Sequence, residues 1–397
     1  MKLNRMREEM INSFIDCLKK DTIPWHMGWS SERPFNAVTN TEYHGANALW
    51  LTYNQQAQLY KDPRWCTFKQ AQSKGWKIKQ GSKGTKIEFW SLYDTEEKRK
   101  LTRTEAKQLT DELTAEEFTN RVKPVSNTYT VFNGEQIEGI PLYEIRKNVL
   151  HLDEFLYGRD KLIENMKVGF KEGGNEAFYS MAEDMIVLPK INQFDNEFEY
   201  ITTFFHEAGH ATGHVSRLNR DLTGAFGSPE YAREELRAEI ASAFTAQAVG
   251  ITYEQNSHME NHKAYIQSWI SALKNNPNEL FLAIKDAEKI SDYLIEKAEI
   301  EKELTNEISK PKEVDKNEVT RDAEKISMTY SDAATFRMAM KGQKSALEKF
   351  MNEFDDEQKV SETVENVKKC IDVKNEVTEM RVPEAEPDII RDVQKFA

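Results

Sequence analysis

Three cysteines stand in 397 residues, at Cys17, Cys66 and Cys370, too few and too scattered for a disulfide framework or a thiolate metal site. No stretch approaches the roughly 18 consecutive apolar residues of a membrane helix, so no membrane partner is expected. The opening Met1-Lys2-Leu3-Asn4-Arg5 lacks the apolar core of a secretion signal, which makes the cytoplasm the expected compartment. Apolar residues also thin out beyond about residue 300, where Glu, Lys, Asp and Ser dominate. That stretch reads as a charged extension, flexible or helical. The rest is long enough for two globular units.

What is present begins with Phe204-Phe205-His206-Glu207-Ala208-Gly209-His210. On a helix, positions i and i+4 share a face, so His206 and His210 can hold one metal ion. Glu207 then stands beside a water that the metal acidifies and can take its proton. The apolar run Ile201 to Phe205 points to a helix buried in a core, which argues against an accidental match. A third protein ligand is required. Gly213 occupies the glycine position of H-E-x-x-H-x-x-G-x-x-H, but Ser216 stands where the third histidine belongs, so that class is disfavoured.

The alternative is a glutamate on a later helix. Tyr231 to Phe244 reads as helix, with Leu236, Ile240, Ala243 and Phe244 as an apolar stripe and Glu235 and Glu239 one turn apart. Glu235 is expected as the third ligand and Glu239 as the carboxylate orienting a ligand histidine. The spacing leaves the opposite assignment open. Glu234 reads as solvated. Gly213 suggests that the helix ends there, leaving His214 for a structural or substrate-polarising role. Tyr231 is a candidate donor to the oxyanion of a hydrolytic intermediate.

The charge is segregated. The chain carries −13 overall, but residues 1–90 hold 14 Lys and Arg against 8 Asp and Glu, a net of +6 that leaves −19 for the remainder. Between Lys61 and Lys86, the basic residues Lys61, Arg64, Lys69, Lys74, Lys77, Lys79, Lys83 and Lys86 meet one acid, Asp62, and are interleaved with Trp65, Phe68 and Trp76. A positive groove with aromatic platforms holds single strands without sequence preference. The bland reading is a solvated face over a core. Trp76 to Lys79 and Thr85 to Trp90 alternate like two strands joined by Gly81-Ser82-Lys83-Gly84, with Ile78, Ile87 and Phe89 inward. Trp25, Trp29 and Trp65 divide evenly between core and base stacking.

Residues 1–20 read as an amphipathic helix, 93–123 as a charged insertion bearing helix, and Thr128 to Phe132 as a strand. Ala177-Phe178-Tyr179 and Met185 to Leu188 form a strand pair ahead of the metal helix, and Asn261 to Lys297 is helical.

Several linked motifs resemble ArdC-type antirestriction proteins. They are Pro24-Trp25 with Gly28-Trp29, Tyr43-His44-Gly45-Ala46-Asn47, Arg64 to Ala71, Gly75-Trp76 and Lys79 to Gly84. Val131-Phe132-Asn133, Asp184 to Pro189, His206 to His214, Ser216 to Arg220 and Glu234 to Glu239 complete the set. The resemblance covers about residues 5–297. It implies an N-terminal single-stranded DNA-binding domain shared with TraC-type plasmid primases, followed by a zincin-like metallopeptidase domain. It also implies zinc on His206, His210 and a glutamate of the Glu235 segment, with Glu207 catalytic, in a protein that protects incoming plasmid DNA from restriction. The expected fold is α+β: a DNA-binding domain over 1–135, a linker over 136–150, a zincin-like domain over 151–297 and a charged extension over 298–397. The expected partners are single-stranded DNA and a protein substrate such as a restriction component. The alternative is a protein that shields strands by coating them, its zinc site structural or relict.

Overall fold

The computed structural model describes residues 4–26, 32–144, 150–225, 227–251 and 259–299. The expected extension lies outside these residues from 300 onward, as do Trp29 and Cys370. The fold is α+β.

Helix α1 (Arg5–Leu18) starts where the Asn4 side chain accepts the Arg7 backbone N–H. Its Met6, Met10, Ile11, Phe14, Ile15 and Leu18 recur at helical spacing, and all are buried. A short turn at Pro24–His26 follows, then β1 (Phe35–Asn36), α2 (Gly45–Ala57), β2 (Arg64–Thr67), α3 (Phe68–Ser73), β3 (Lys77–Ile78) and β4 (Thr85–Asp94). The charged insertion forms β5 (Arg99–Lys100), α4 (Arg103–Glu112) and α5 (Ala115–Arg121), the two helices opened by capping boxes at Thr102 and Thr114. Strands β6 (Val122–Asn133) and β7 (Ile137–Glu138) close this half.

The larger sheet runs β1-β2-β6-β4-β5, and β4 pairs antiparallel with β6 from Thr85↔Val131 to Asp94↔Val122. The expected hairpin between Trp76–Lys79 and Thr85–Trp90 does not form. Strand β3 pairs with β7 instead, Lys77 opposite Glu138 and Ile78 opposite Ile137. The connection from Lys79 to Gly84, with Gly81 at φ +81°, carries the chain from that small ladder to the larger sheet. Ile87 is nevertheless inward, against α2.

The second half contains α6 (Leu152–Met166), β8 (Gly169–Glu172), β9 (Phe178–Ser180), β10 (Met185–Leu188), α7 (Glu197–Ala211), α8 (Pro229–Ala248), α9 (Met259–Asn275) and α10 (Asn278–Ala298). Its sheet is ordered β8-β10-β9, so β9 is an edge, antiparallel to β10. No described helix is long and apolar enough to cross a membrane.

The halves share one core. Met6, Phe14, Trp25 and Trp50 from the first belong to the same buried cluster as Phe204, Phe244, Trp269 and Leu280 from the second. Trp25 meets Trp269 edge-on at 5.3 Å, and the Trp269 indole N–H donates to the Ala232 carbonyl at 3.1 Å. Arg7 ties three elements together. Its Nε bonds Glu88 of β4 at 2.9 Å, and its guanidinium lies 4.2 Å from the Phe281 ring of α10. At a second joint Glu288 of α10 accepts from Arg33 at 3.1 Å and meets His44 Nδ1 at 3.0 Å.

Candidate metal centre and basic face

Helix α7 opens on Asn196, whose side chain accepts the Glu199 N–H, and ends at Thr212, where the Thr212 hydroxyl bonds the Gly209 carbonyl. Helix α8 opens on Ser228, which accepts the Tyr231 N–H, with Pro229 in its first turn. The two helices pack side by side and bring His206, His210 and Glu235 together, one ligand atom of each lying within 4.8 Å of the others. His206 Nε2 and His210 Nε2 are 3.1 Å apart, and they stand 3.6 Å and 3.4 Å from the two Glu235 oxygens. A tetrahedral zinc with bonds of about 2.0–2.1 Å needs ligand atoms about 3.3 Å apart, so the donor set fits that ion.

Each imidazole is held from behind by a carboxylate. Glu239 Oε1 meets His206 Nδ1 at 3.1 Å, a position open to an orienting carboxylate. His210 Nδ1 meets Glu234 Oε1 at 3.3 Å, and this corrects the sequence reading, which left Glu234 in solvent. Glu234 is 8% exposed and also accepts from Arg220 Nη2 at 2.6 Å. The misreading has a physical origin. Helix α8 packs against both α7 and α10, and its solvated stripe is confined to Glu230, Arg233 and Arg237, so Glu234 faces inward. Arg220 stands in the motif Ser216 to Arg220 with no role readable from it, because it belongs to a loop, where periodicity says nothing.

The electrostatics match a cation site. Burial pulls both imidazoles down, but Glu239 and Glu235 outweigh it at His206, and Glu234 and Glu235 outweigh it at His210, whose pKa rises to about 9. Burial pushes Glu235 up, and the two imidazoles more than reverse this, holding it well below the carboxylate range. Glu207 differs. Burial raises its pKa against the pull of both histidines, and the Tyr179 backbone N–H bonds it. On an edge strand alternate N–H groups point away from the partner strand, within the sheet plane. Directed at Glu207, Tyr179 therefore sets the open edge of β9 beside the cluster.

Two further side chains frame the site. Tyr231, one turn before Glu235, shares a 3.3 Å contact with the Tyr265 hydroxyl, and burial and the Glu235 carboxylate raise its pKa. Arg217 donates to the Ala211 carbonyl at 2.6 Å, to Tyr179 Oη at 3.2 Å and to Asp184, tying the end of α7 to β9 and β10. His214 is not brought into the cluster. It follows the helix end, and its Nδ1 lies 2.8 Å from the Ser216 hydroxyl, so it shapes the turn there.

On the other half, Lys61, Lys69, Lys74, Lys77, Lys79 and Lys83 are exposed, while Lys86 is half-buried. Two expected DNA contacts are corrected. Trp65 is fully buried in the core between α2 and the larger sheet, so its ring has no face to offer a base. Arg64 is committed internally, to Asp62 at 2.7 Å, to the Pro141 carbonyl at 2.7 Å and over the Tyr143 ring at 4.9 Å. Trp25 also proves to be core.

Residues 4–132 match the family described as the N-terminal domain of anti-restriction factor ArdC, and residues 158–286 match zincin-like metallopeptidases. A DNA primase TraC of Escherichia coli is 36% identical over 323 residues, 77% of this chain and 28% of the primase. A second TraC primase of that organism is 37% identical over 72% of this chain and 20% of its own length. The chain thus spans about a quarter of these relatives. The uncharacterized protein y4eC of Sinorhizobium fredii is 29% identical over 68% of this chain and 84% of its own. The Mn(II)-bound crystal structure of the antirestriction protein ArdC from plasmid R388 superposes with a TM-score of 0.58 and 25% identity, covering 75% of this chain and 98% of that one.

Proposed function

The chain belongs to the ArdC antirestriction family, with a zincin-like domain, and from that premise we propose that it combines a single-strand-binding surface with a zinc-dependent peptidase site in the cytoplasm. The observation that carries the peptidase half is the meeting of His206, His210 and Glu235 beside a buried Glu207 and an open strand edge. Zinc held by these three side chains would supply Lewis acidity, acidifying water and polarising a carbonyl. Two imidazoles and one carboxylate suit zinc, although the R388 relative was crystallised with Mn(II).

Glu207, its pKa raised by burial, takes a proton from the attacking water and passes it to the leaving amine. Tyr231 stays protonated at neutral pH and donates its hydroxyl to the oxyanion of the tetrahedral state. Glu234 and Glu239 keep the imidazoles in one tautomer, with Nε2 turned to Glu235. A substrate strand pairs along the free edge of β9, where Phe178 and Met181 are 44% and 49% exposed and offer apolar contact. The exposed lysines of the first half track the phosphates of single-stranded DNA, which brings the peptidase to proteins on that strand, restriction components among them.

The test is proteolysis by the full chain loaded with zinc, with and without a single-stranded oligonucleotide, assayed on a DNA-binding protein mixture and on the chain itself. Cleavage by the wild type and none by Glu207→Gln supports the reading. Equal cleavage by both removes Glu207 as the base. Strand protection without any cleavage leaves a coating protein.

A further inference from the structure

A cavity of about 600 Å³ opens between α2 and the turn Gly81-Ser82-Lys83-Gly84, and none of the metal-site residues named above lines it. Its volume lies in the range of ligand sites, about 300–1,000 Å³. Its lining includes Lys79, Lys83 and Lys86 together with Trp50 and Tyr60. Lys79 Nζ is fixed on the Glu135 carbonyl at 2.7 Å. Among the described residues Lys83 and Lys86 form no ion pair.

Two acids also line the cavity, and both are engaged. Glu9 pairs with Arg5 at 2.8 Å, while Glu135 Oε1 accepts the backbone N–H groups of Lys61 and Asp62, the latter at 3.3 Å. The cavity is left with a surplus of positive charge. The turn that bears Lys83 is rigidly seated, because a Cβ on Gly84 would come within 2.4 Å of Thr130 Cγ2, a contact that only glycine avoids. Trp50 stacks on Tyr53 at 5.4 Å and is 5% exposed, so it walls the cavity without a free ring face. Tyr60 is braced edge-on against Trp65 at 6.3 Å, and burial, then Glu135, raise its pKa, so it stays a neutral ring.

Lysines and a tyrosine ring lining one cavity match a phosphate joined to a flat heterocycle. We propose that this cavity is a nucleotide subsite that takes one unit of a single strand, its phosphate on Lys83 and Lys86 and its base against Tyr60. The proposal rests on the reading that the N-terminal half binds single strands, and adds to the open lysine face a pocket that holds one nucleotide.

The experiment titrates the full chain with fluorescent (dT)12 over a range of salt, for wild type, Lys83→Gln/Lys86→Gln and the exposed-face control Lys69→Gln/Lys74→Gln. Unfolding temperature and zinc content verify that each variant is folded. The pocket variant is expected to lose at least tenfold in affinity, with the slope of log K against log salt shallower by about 0.7 per phosphate contact removed. The control should change less. A (dT)12 carrying 5-bromouracil should photocrosslink to Tyr60 in the wild type. Wild-type binding with an unaffected pocket variant, or crosslinks only on the open face, overturns the subsite and leaves strand binding standing. If dTMP matches (dT)12 in affinity, the cavity is a free-nucleotide site and the strand assignment fails. No binding of (dT)12 by the wild type removes the underlying reading itself.

Discussion

The α7–α8 centre and the basic face of the first half use charge in opposite ways. At the centre, four glutamates and two histidines are buried or nearly so, and all but Glu207 are ion-paired: Glu239 to His206, Glu234 to His210 and Arg220, Glu235 to both imidazoles. On the basic face the lysines are exposed and carry their charge into solvent. Buried charge must be matched within the fold, so a surplus there calls for a cation. Exposed charge costs the fold little and is left for a partner. The cavity beside Gly81–Gly84 stands between these cases, with a half-enclosed surplus.

The largest effect sharpens this contrast at the joint of the halves. Removing Glu88 by Glu88→Ala leaves the buried Arg7 guanidinium without its carboxylate and should cost about 3–5 kcal/mol in denaturant unfolding. Removing any one exposed lysine should change stability by less than about 0.5 kcal/mol. Next comes Glu207→Gln, which should lower peptide cleavage by about 10²–10⁴-fold with bound zinc unchanged, since the base is lost and the ligands remain. Zinc retained with cleavage intact would break the assignment.

A smaller effect separates two glutamates that look alike in sequence. Glu234→Ala and Glu239→Ala should each weaken zinc binding about 10–100-fold in competition with a chelator, because each frees one ligand imidazole to turn. An unchanged affinity for Glu234→Ala would return Glu234 to the merely structural pairing with Arg220.

The smallest effect is pH dependence at the second joint. Burial pushes Glu288 up, but His44 and Arg33 reverse it and hold its pKa at about 2, against 4.5 when unpaired. A depressed carboxylate pKa contributes stability that is full above pH 4.5 and lost as the pH falls towards 2. His44 is raised above 6.5, where burial alone would lower it, by Glu288; its contribution is full below pH 6.5 and fades as the pH rises through the raised value. Thermal unfolding should therefore show a maximum between about pH 4.5 and 6.5 from this pair, and Glu288→Gln should flatten both flanks. A profile unchanged by that substitution would remove the joint as a pH-dependent contact.

How far the sequence could be read varied with the kind of signal. The metal helix was legible because His206, Glu207 and His210 lie within five residues, and a helix converts that spacing directly into one face. Helix α1 was legible because one of its faces is apolar. The pairing of strand β3 was not: Trp76 to Lys79 reads as a strand, but its partner, β7, lies about sixty residues on rather than across the Gly81–Gly84 turn. Trp65 could not be sorted between core and platform, because a tryptophan suits either and only packing against Tyr60 and Ile87 decides.

By itself the sequence determined the local chemistry: which helix carries the imidazoles, near which glycine it ends, and which stretch of chain concentrates positive charge. The tertiary structure alone decided which of three neighbouring glutamates faces the histidines, which carboxylate backs each ring, that a strand edge borders Glu207, and that Lys83 and Lys86 share a cavity with Trp50. The physical reason is range. Helix periodicity and capping act over about one turn, whereas burial and ion pairing depend on elements that meet only once the chain has closed on itself.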